Sequence, residues 1–375
     1  MIVLESVQLR EIHLPLVHYF ETSFGRTDNR RIILVTVKTR DGAGYGECTA
    51  GEEPDYSCET TETAWHMLAD FIIPNLLGKE LEDARTVDGA LRAIRGNRMA
   101  KAALETAVWD LEARLLGIPL SRHLGGVRRE IPCGVSIGIQ VSIDALLEKV
   151  ERELAAGYRR IKIKIKPGWD LEPIRCVRNT FPDIPLMADA NSAFRLSDLP
   201  LLRKLDQFGL MMIEQPLADD DIVDHAVLQK ELATPICLDE SIHGAEDARK
   251  AIEMGSCRII NVKLGRVGGY SEVLKINDYC GRNGIPIWCG GMLESGVGRA
   301  HNIAMSSLSA FTLPGDVSAS KRYYTEDTVR PPVMVTPDGT IRLPEGPGIG
   351  YDLDRDRIRR ATARTRDFHR LEERK

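Results

Sequence analysis

The sequence predicts an α/β protein whose larger part is a parallel (β/α) barrel of eight strands, preceded by a smaller α+β unit. Three observations carry that expectation. From about residue 131 short apolar segments alternate with amphipathic helical ones, the pattern of repeated βα units. Charged residues then recur at one spacing, each at the carboxyl end of a successive strand. Residues 1–50 read differently, with a two-residue alternation that suits an antiparallel sheet with one wet face.

The alternation is clearest in Arg31-Ile-Ile-Leu-Val-Thr-Val-Lys38, with a turn at Asp41-Gly42. From about 60 to 117 the period becomes helical. Met99–Leu116 is the best-defined piece, stopped by Gly117-Ile-Pro119, glycine then proline. Barrel strands are expected at 131–139, 160–165, 184–190, 210–216, 235–241, 259–264, 286–291 and 311–316. Helical patterns such as Asp144–Ala156 and Leu201–Phe208 lie between them. After residue 320 a strand-like piece, Val333–Leu343, is expected to rejoin the N-terminal sheet. The arginine-rich tail Asp352–Lys375 carries Asp354, Asp356, Asp367, Glu372 and Glu373 among its arginines, which favours a solvated helix over a nucleic-acid arm. The expected division is 1–128, 129–320 and 321–375.

A chain of 375 residues with 43% hydrophobic and 28% charged residues has a core of ordinary composition. Its net charge of -5 gives no electrostatic reason to bind nucleic acid or an anionic membrane. No apolar stretch approaches the ~18 residues of a membrane span, and the N-terminus is charged too early for a signal peptide. The eight cysteines show no CxxC and no paired spacing, so reduced, mostly buried thiols in a cytoplasmic protein are expected.

The residues at the strand ends are Lys164, Asp189, Glu214, Asp239 and Lys263, at intervals of 25, 25, 25 and 24. Each alone has a plain reading, as a helix cap or a solvated strand end. Five at one spacing are not explained by caps. Three carboxylates meeting at one point need a cation among them, and an all-oxygen set suits Mg²⁺ or another hard divalent ion such as Mn²⁺. Zinc is disfavoured, because none of the eight histidines forms HExxH or pairs with cysteine at ligand spacing. In Arg160-Ile-Lys-Ile-Lys-Ile-Lys-Pro the two-residue period puts Lys162, Lys164 and Lys166 on one face. Lysines often guard an edge strand, but a barrel has no edge, so these lysines require carboxylates. Two lysines on strands two and six would face a bound carboxylate from opposite sides. One can take its α-proton and the other return it or hold the anion.

These motifs, Lys162-Ile-Lys164, Asp189-Ala-Asn191, Glu214-Gln-Pro216, Asp239-Glu-Ser241 and Lys263, resemble the enolase superfamily, muconate-lactonizing subgroup. Glu21-Thr-Ser-Phe-Gly25, Gly46-Glu-Cys48, Ala107–Leu111, Cys289–His301 and Gly346-Pro-Gly-Ile-Gly350 are similar to the o-succinylbenzoate synthase / N-acylamino acid racemase family across nearly the whole chain. The resemblance implies a modified (β/α)8-type barrel, (β/α)7β, with an α+β capping domain built from the N-terminus and the C-terminal segment. It implies Lys164 as general base and acid, Lys263 as its counterpart, and Asp189, Glu214 and Asp239 as Mg²⁺ ligands. Lys162, Asn191 and Glu240 would support them, and Arg266 matches an arginine typical of racemising members. Ser136, Gly290, Gly291 and Met292 would line the pocket. Phe20, Ser23 and Tyr56 would come from loops His18–Gly25 and Ala50–Tyr56, closing over a small carboxylate substrate. A homo-oligomer is also implied.

Three neighbouring activities differ at defined places. A mandelate-racemase site needs a histidine where Ile287-Trp-Cys-Gly stands, and dipeptide epimerases carry Asp-x-Asp where Gly315-Asp-Val-Ser stands. A cycloisomerase keeps both lysines and is separated only by the loop strings. A non-catalytic binding barrel would be expected to have lost one of the five strand-end charges.

Overall fold

The computed structural model describes residues 1–370. Its N-terminal part is a four-stranded antiparallel sheet in the order Thr362–His369, Ser6–Glu21, Arg26–Lys38, Ala43–Cys48. The expected turn is present: Lys38 faces Ala43, and the Thr39 amide donates to the Gly42 carbonyl at 2.9 Å. Helix Arg98–Leu115 lies on this sheet at backbone contact distance. A Cβ on Gly44 would sit 2.2 Å from the Ala107 carbonyl, and one on Gly46 would sit 2.1 Å from that of Ala103. Small residues on both sides therefore make this contact. The helix is built from strong helix formers and is buried on most of its circumference, as expected between a sheet and a barrel. It stops before Gly117, whose φ is +68°.

The barrel is a seven-stranded parallel sheet running from Gly134–Ile137 through Arg160–Lys164, Leu186–Asp189, Ile213–Glu214, Ile236–Leu238 and Ile259–Val262 to Ile287–Cys289. The eighth expected strand, 311–316, is not a ladder. It closes the ring through two parallel bridges, Phe311 to Ile287 and Gly315 to Cys133. Pro314 has no amide to give, and its carbonyl is taken by the Arg160 guanidinium at 2.8 Å. The ring therefore has the (β/α)7β form with a reduced last strand. Helix Ile143–Ala155 agrees with its sequence pattern, whereas 201–208 is split into a short α-helix ending at Leu202 and a 3-10 turn, Arg203–Phe208.

Two expectations for the C-terminal segment are corrected. Thr340–Arg342 pairs with Glu130–Pro132, just ahead of the first barrel strand, rather than with the N-terminal sheet. The strand that does rejoin that sheet is Thr362–His369, expected as helix; helix covers only Arg355–Ala361. The tail alternates in period two, and Arg364 and Arg366 reach across to Glu11, Glu62 and Asp70. These pairs outweigh the helix preference of the charged run. Residues 371–375, also expected as helix, lie outside the described residues. Six cysteines are buried as expected, but Cys58 is exposed and Cys176 half-buried. No helix among the described residues is long and apolar enough to cross a membrane.

The N-terminal sheet holds the barrel through Glu47. This buried carboxylate accepts the Ser295 amide at 3.0 Å and hydroxyl at 2.6 Å and the Gly298 amide at 2.9 Å, capping helix Gly296–Met305. Burial, reinforced by the nearby Glu294 charge, pushes its pKa up from 4.5 to about 7 against those hydrogen bonds. The folded state therefore binds a proton that the unfolded chain has released. This contribution to stability is complete below pH 4.5 and is lost as pH rises through about 7. Glu47→Gln, which cannot titrate but leaves one donor unanswered, should cost about 1–3 kcal/mol. Thermal melts across that window should show a shallower fall with pH than the parent; an unchanged slope would remove Glu47 as a source of the dependence.

Candidate active site

In the second barrel strand Ile161 and Ile163 face the helices, while Arg160, Lys162 and Lys164 face inward. Lys164 stands in register beside Asp189, and Asp189 beside Glu214. Asp239 and Lys263 follow directly on the ends of the fifth and sixth strands. All five are buried; the three carboxylates have no exposed surface. Lys166, on the same face in sequence, lies beyond the strand end, remains 38% exposed and pairs with Glu21.

Each lysine has its own partners. The Lys164 ammonium donates to Asp189 and to Asn191 Oδ1, both at 2.6 Å. Lys263 donates to Asp239 at 2.7 Å and to the Tyr56 hydroxyl at 3.0 Å. Lys162 lies between Asp189 (3.1 Å), Glu214 (3.0 Å) and Asp316 (2.7 Å), with its ammonium 4.9 Å from the centre of the Trp288 ring. Among the described residues no three potential ligands form a ready-made metal cage; each carboxylate is met by a cation.

The lysines differ electrostatically. Burial lowers the pKa of Lys164, and the nearby Lys162 charge adds to this, against the opposing pull of Asp189. Burial opposes the charge of Lys263 as well, but Tyr56, Glu240 and Glu214 outweigh it and raise its pKa. Lys162 is raised by Asp316, Glu214 and Asp189, again against burial.

The left-handed conformation of Asn191 (φ 41°) turns its amide to donate to Glu240 at 2.8 Å while its oxygen receives Lys164. The other Glu240 oxygen is buried without a partner. Arg266 is 3% exposed and not a surface residue. It donates to the Ile242 carbonyl at 2.8 Å and the Asn261 carbonyl at 2.6 Å, and contacts Asp239 and Tyr56.

Lys164, Asn191 and Lys263 lie on the floor of a cavity of about 390 Å³, with Phe20 and Tyr56 from the N-terminal loops and Gly291 and Met292 from the seventh strand's loop among its walls. Gly290 stands behind rather than in the wall; a Cβ there would lie 2.7 Å from Lys263 Cε. Ser23 holds the loop down by donating to the Asn191 carbonyl at 3.1 Å. Ser136 lines a separate cavity of about 170 Å³, beside Arg322 and on the other side of Phe20, which borders both.

Two residues of the site went unnoticed in the sequence. Asp316 binds Lys162 and Arg160 from the reduced eighth strand, and Asn261 donates to Glu214 at 2.6 Å. Asp316 does stand at a strand end. Its partners Lys162 and Arg160 lie far away in sequence, so nothing local marks it. Asn261 sits inside an apolar strand, and a lone buried amide gives no periodic signal.

The chain is similar to known proteins over nearly its whole length. Residues 6–125 match the family described as mandelate racemase / muconate lactonizing enzyme, N-terminal domain. Residues 145–357 match the enolase C-terminal domain-like family. An o-succinylbenzoate synthase of Geobacillus kaustophilus is 56% identical over 368 residues, covering 98% of both chains. An N-succinylamino acid racemase of Thermus thermophilus is 49% identical over 359 residues, 96% of this chain and 97% of its own. The crystal structure of an enolase superfamily member from Listeria innocua superposes with a TM-score of 0.95 at 42% identity, covering 98% of this chain and 100% of that one. The chain belongs to the enolase superfamily of enzymes, in its mandelate racemase / muconate-lactonizing branch.

Proposed function

We propose that this protein removes the α-proton of a small carboxylate substrate with the help of Mg²⁺, acting as an o-succinylbenzoate synthase, an N-succinyl- or N-acylamino acid racemase, or both. The observation that carries this reading is geometric. Lys164 and Lys263, from the second and sixth of eight barrel positions, border one cavity from opposite sides, and each is oriented by its own carboxylate. The relatives named above support both activities.

Asp189, Glu214 and Asp239 would hold the cation. They are oxygen donors on three neighbouring strands, and the spare Glu240 oxygen beside them adds to an environment that suits a hard divalent ion. When bound, the cation supplies positive charge that stabilises an enediolate. Lys162 is held by Asp316, and its ammonium balances the buried carboxylates. In racemisation one lysine Nζ takes the α-proton and the other delivers a proton to the opposite face. In dehydration Lys164 takes the α-proton, the C–H pair becomes the new double bond, and Lys164 protonates the departing hydroxyl to water. Lys263 stays a cation beside the anionic substrate. Tyr56 and Phe20 line the cavity from the N-terminal loops.

Four outcomes are expected. Glu214→Gln removes one anionic donor, and calorimetry should show weakened Mg²⁺ binding and nearly abolished turnover in a folded protein. Near-normal activity at low Mg²⁺ would remove Glu214 from the ligand set. Lys164→Ala and Lys263→Ala should each stop net racemisation yet still exchange the α-hydrogen of one enantiomer in D₂O. The exchanged enantiomer should differ between the two; NMR showing the same one would sink the two-faced arrangement. Dehydration should fall in Lys263→Ala by about 10²–10³, the cost of losing one stabilising group in a water-poor site. Arg266→Gln frees Asp239 and Tyr56 around Lys263, so racemase kcat/KM should fall more than dehydratase kcat/KM. Equal losses would assign Arg266 a general structural part.

A further inference from the structure

Helix Arg98–Leu115 of the N-terminal part and helix Tyr270–Arg282 of the barrel meet at Glu105, which is 2% exposed. One of its oxygens accepts the Ser271 amide at 3.0 Å, the Ser271 hydroxyl and the Trp109 indole N–H at 3.4 Å. The other has no partner. A Cβ on Gly269 would lie 1.4 Å from that second oxygen. Gly268 and Gly269 both have positive φ, +101° and +117°, so the chain reaches Glu105 only through this glycine pair. The barrel helix begins at Gly269, which has no side chain to cap it, and its cap comes from the other part of the molecule.

The glycine pair ends Lys263-Leu-Gly-Arg-Val-Gly-Gly269, the segment that bears one of the two lysines. At its centre Arg266 is tied to the Ile242 and Asn261 carbonyls. Gly265 lies against the N-terminal part, where a Cβ would be 2.4 Å from the Thr49 hydroxyl. The segment is therefore held from the barrel side by Arg266 and from the far side by Glu105. Lys164 depends on neither; its strand and its partners Asp189 and Asn191 belong wholly to the barrel.

We propose that Glu105 is a positioning residue for one face of the reaction: by capping helix Tyr270–Arg282 from the N-terminal part, it fixes the loop that aims Lys263, without touching the substrate. The inference rests on the two-faced reading above. A buried carboxylate with one unpartnered oxygen is costly to keep. The cost is matched here by a loop whose backbone has no other path past that oxygen. Burial pushes this carboxyl up to about 7, and its hydrogen bonds to Ser271 oppose the shift.

The experiment uses the full-length, Mg²⁺-loaded protein and follows α-hydrogen exchange of each N-succinylamino acid enantiomer in D₂O by NMR. Lys164→Ala and Lys263→Ala assign each enantiomer to a face. Glu105→Ala should slow exchange on the Lys263 face by about 10- to 100-fold, the scale of an ångström-sized misplacement, and leave the Lys164 face unchanged. Glu105→Gln keeps an oxygen for the Ser271 amide and should restore most of the Lys263-face rate. If Glu105→Ala does not fold, Glu105→Asp, which retracts the carboxylate, should show a smaller loss confined to the same face. Equal loss on both faces, or none in a folded variant, would overturn the positioning role. A parent enzyme that exchanges only one enantiomer would overturn the two-faced reading itself.

Discussion

The structure is organised around a balance of charge inside the barrel. Arg160, Lys162, Lys164, Lys263 and Arg266 are buried on its inner side, facing Asp189, Glu214, Asp239, Glu240 and Asp316, also buried. Ionised groups removed from water are tolerated only when paired, and deleting one member leaves its partner stranded at a cost of about 3–5 kcal/mol. The strand positions of these residues, and even the irregular closing segment that delivers Asp316, are fixed by that requirement. The carboxylates that neutralise the lysines are also the ones proposed above to hold a divalent ion.

A second feature is the way carboxylates bind the two parts of the molecule together. Glu47 caps a barrel helix from the N-terminal sheet, and Glu105 caps another from the N-terminal helix. Asp110 accepts amides from Tyr45 in the sheet and Ile349 in the C-terminal segment. Each satisfies backbone donors that a helix end or turn would otherwise leave bare. Such contacts are directional, so they fix orientation as well as affinity, which a purely apolar interface does less well.

The legibility of the sequence followed from periodicity. The five strand-end charges could be read because a βα unit has nearly constant length, and the lysine alternation because a strand has period two. The helix Met99–Leu116 is legible from its helical period and its stop signal. Where period was broken, reading failed. The eighth strand, expected at 311–316, is reduced to two bridges, and nothing near Asp316 in sequence marks it as the partner of Lys162. The tail's alternation was masked by its charge, because the partners that make it a strand lie some 300 residues or more away, in Glu11 and Glu62. Phe20, Tyr56, Gly291 and Met292 border the lysines' cavity as expected, but Ser136 borders another on the far side of Phe20, a matter of three-dimensional packing.

The long hairpin Ser6–Glu21 and Arg26–Lys38 performs two separable tasks along its length. Its base is paired on both sides and is read by the core, whereas its tip, closed by the Thr22 amide on the Gly25 carbonyl, is a wall of the cavity. The pairing slips between Pro15 and Phe20, so the tip's register is already uncoupled from the base. The tip can therefore settle on the barrel independently of the base, and it does so at Ser23, whose hydroxyl donates to the Asn191 carbonyl. A change at the tip would therefore be felt at Lys164 through Asn191, and not only at the cavity wall.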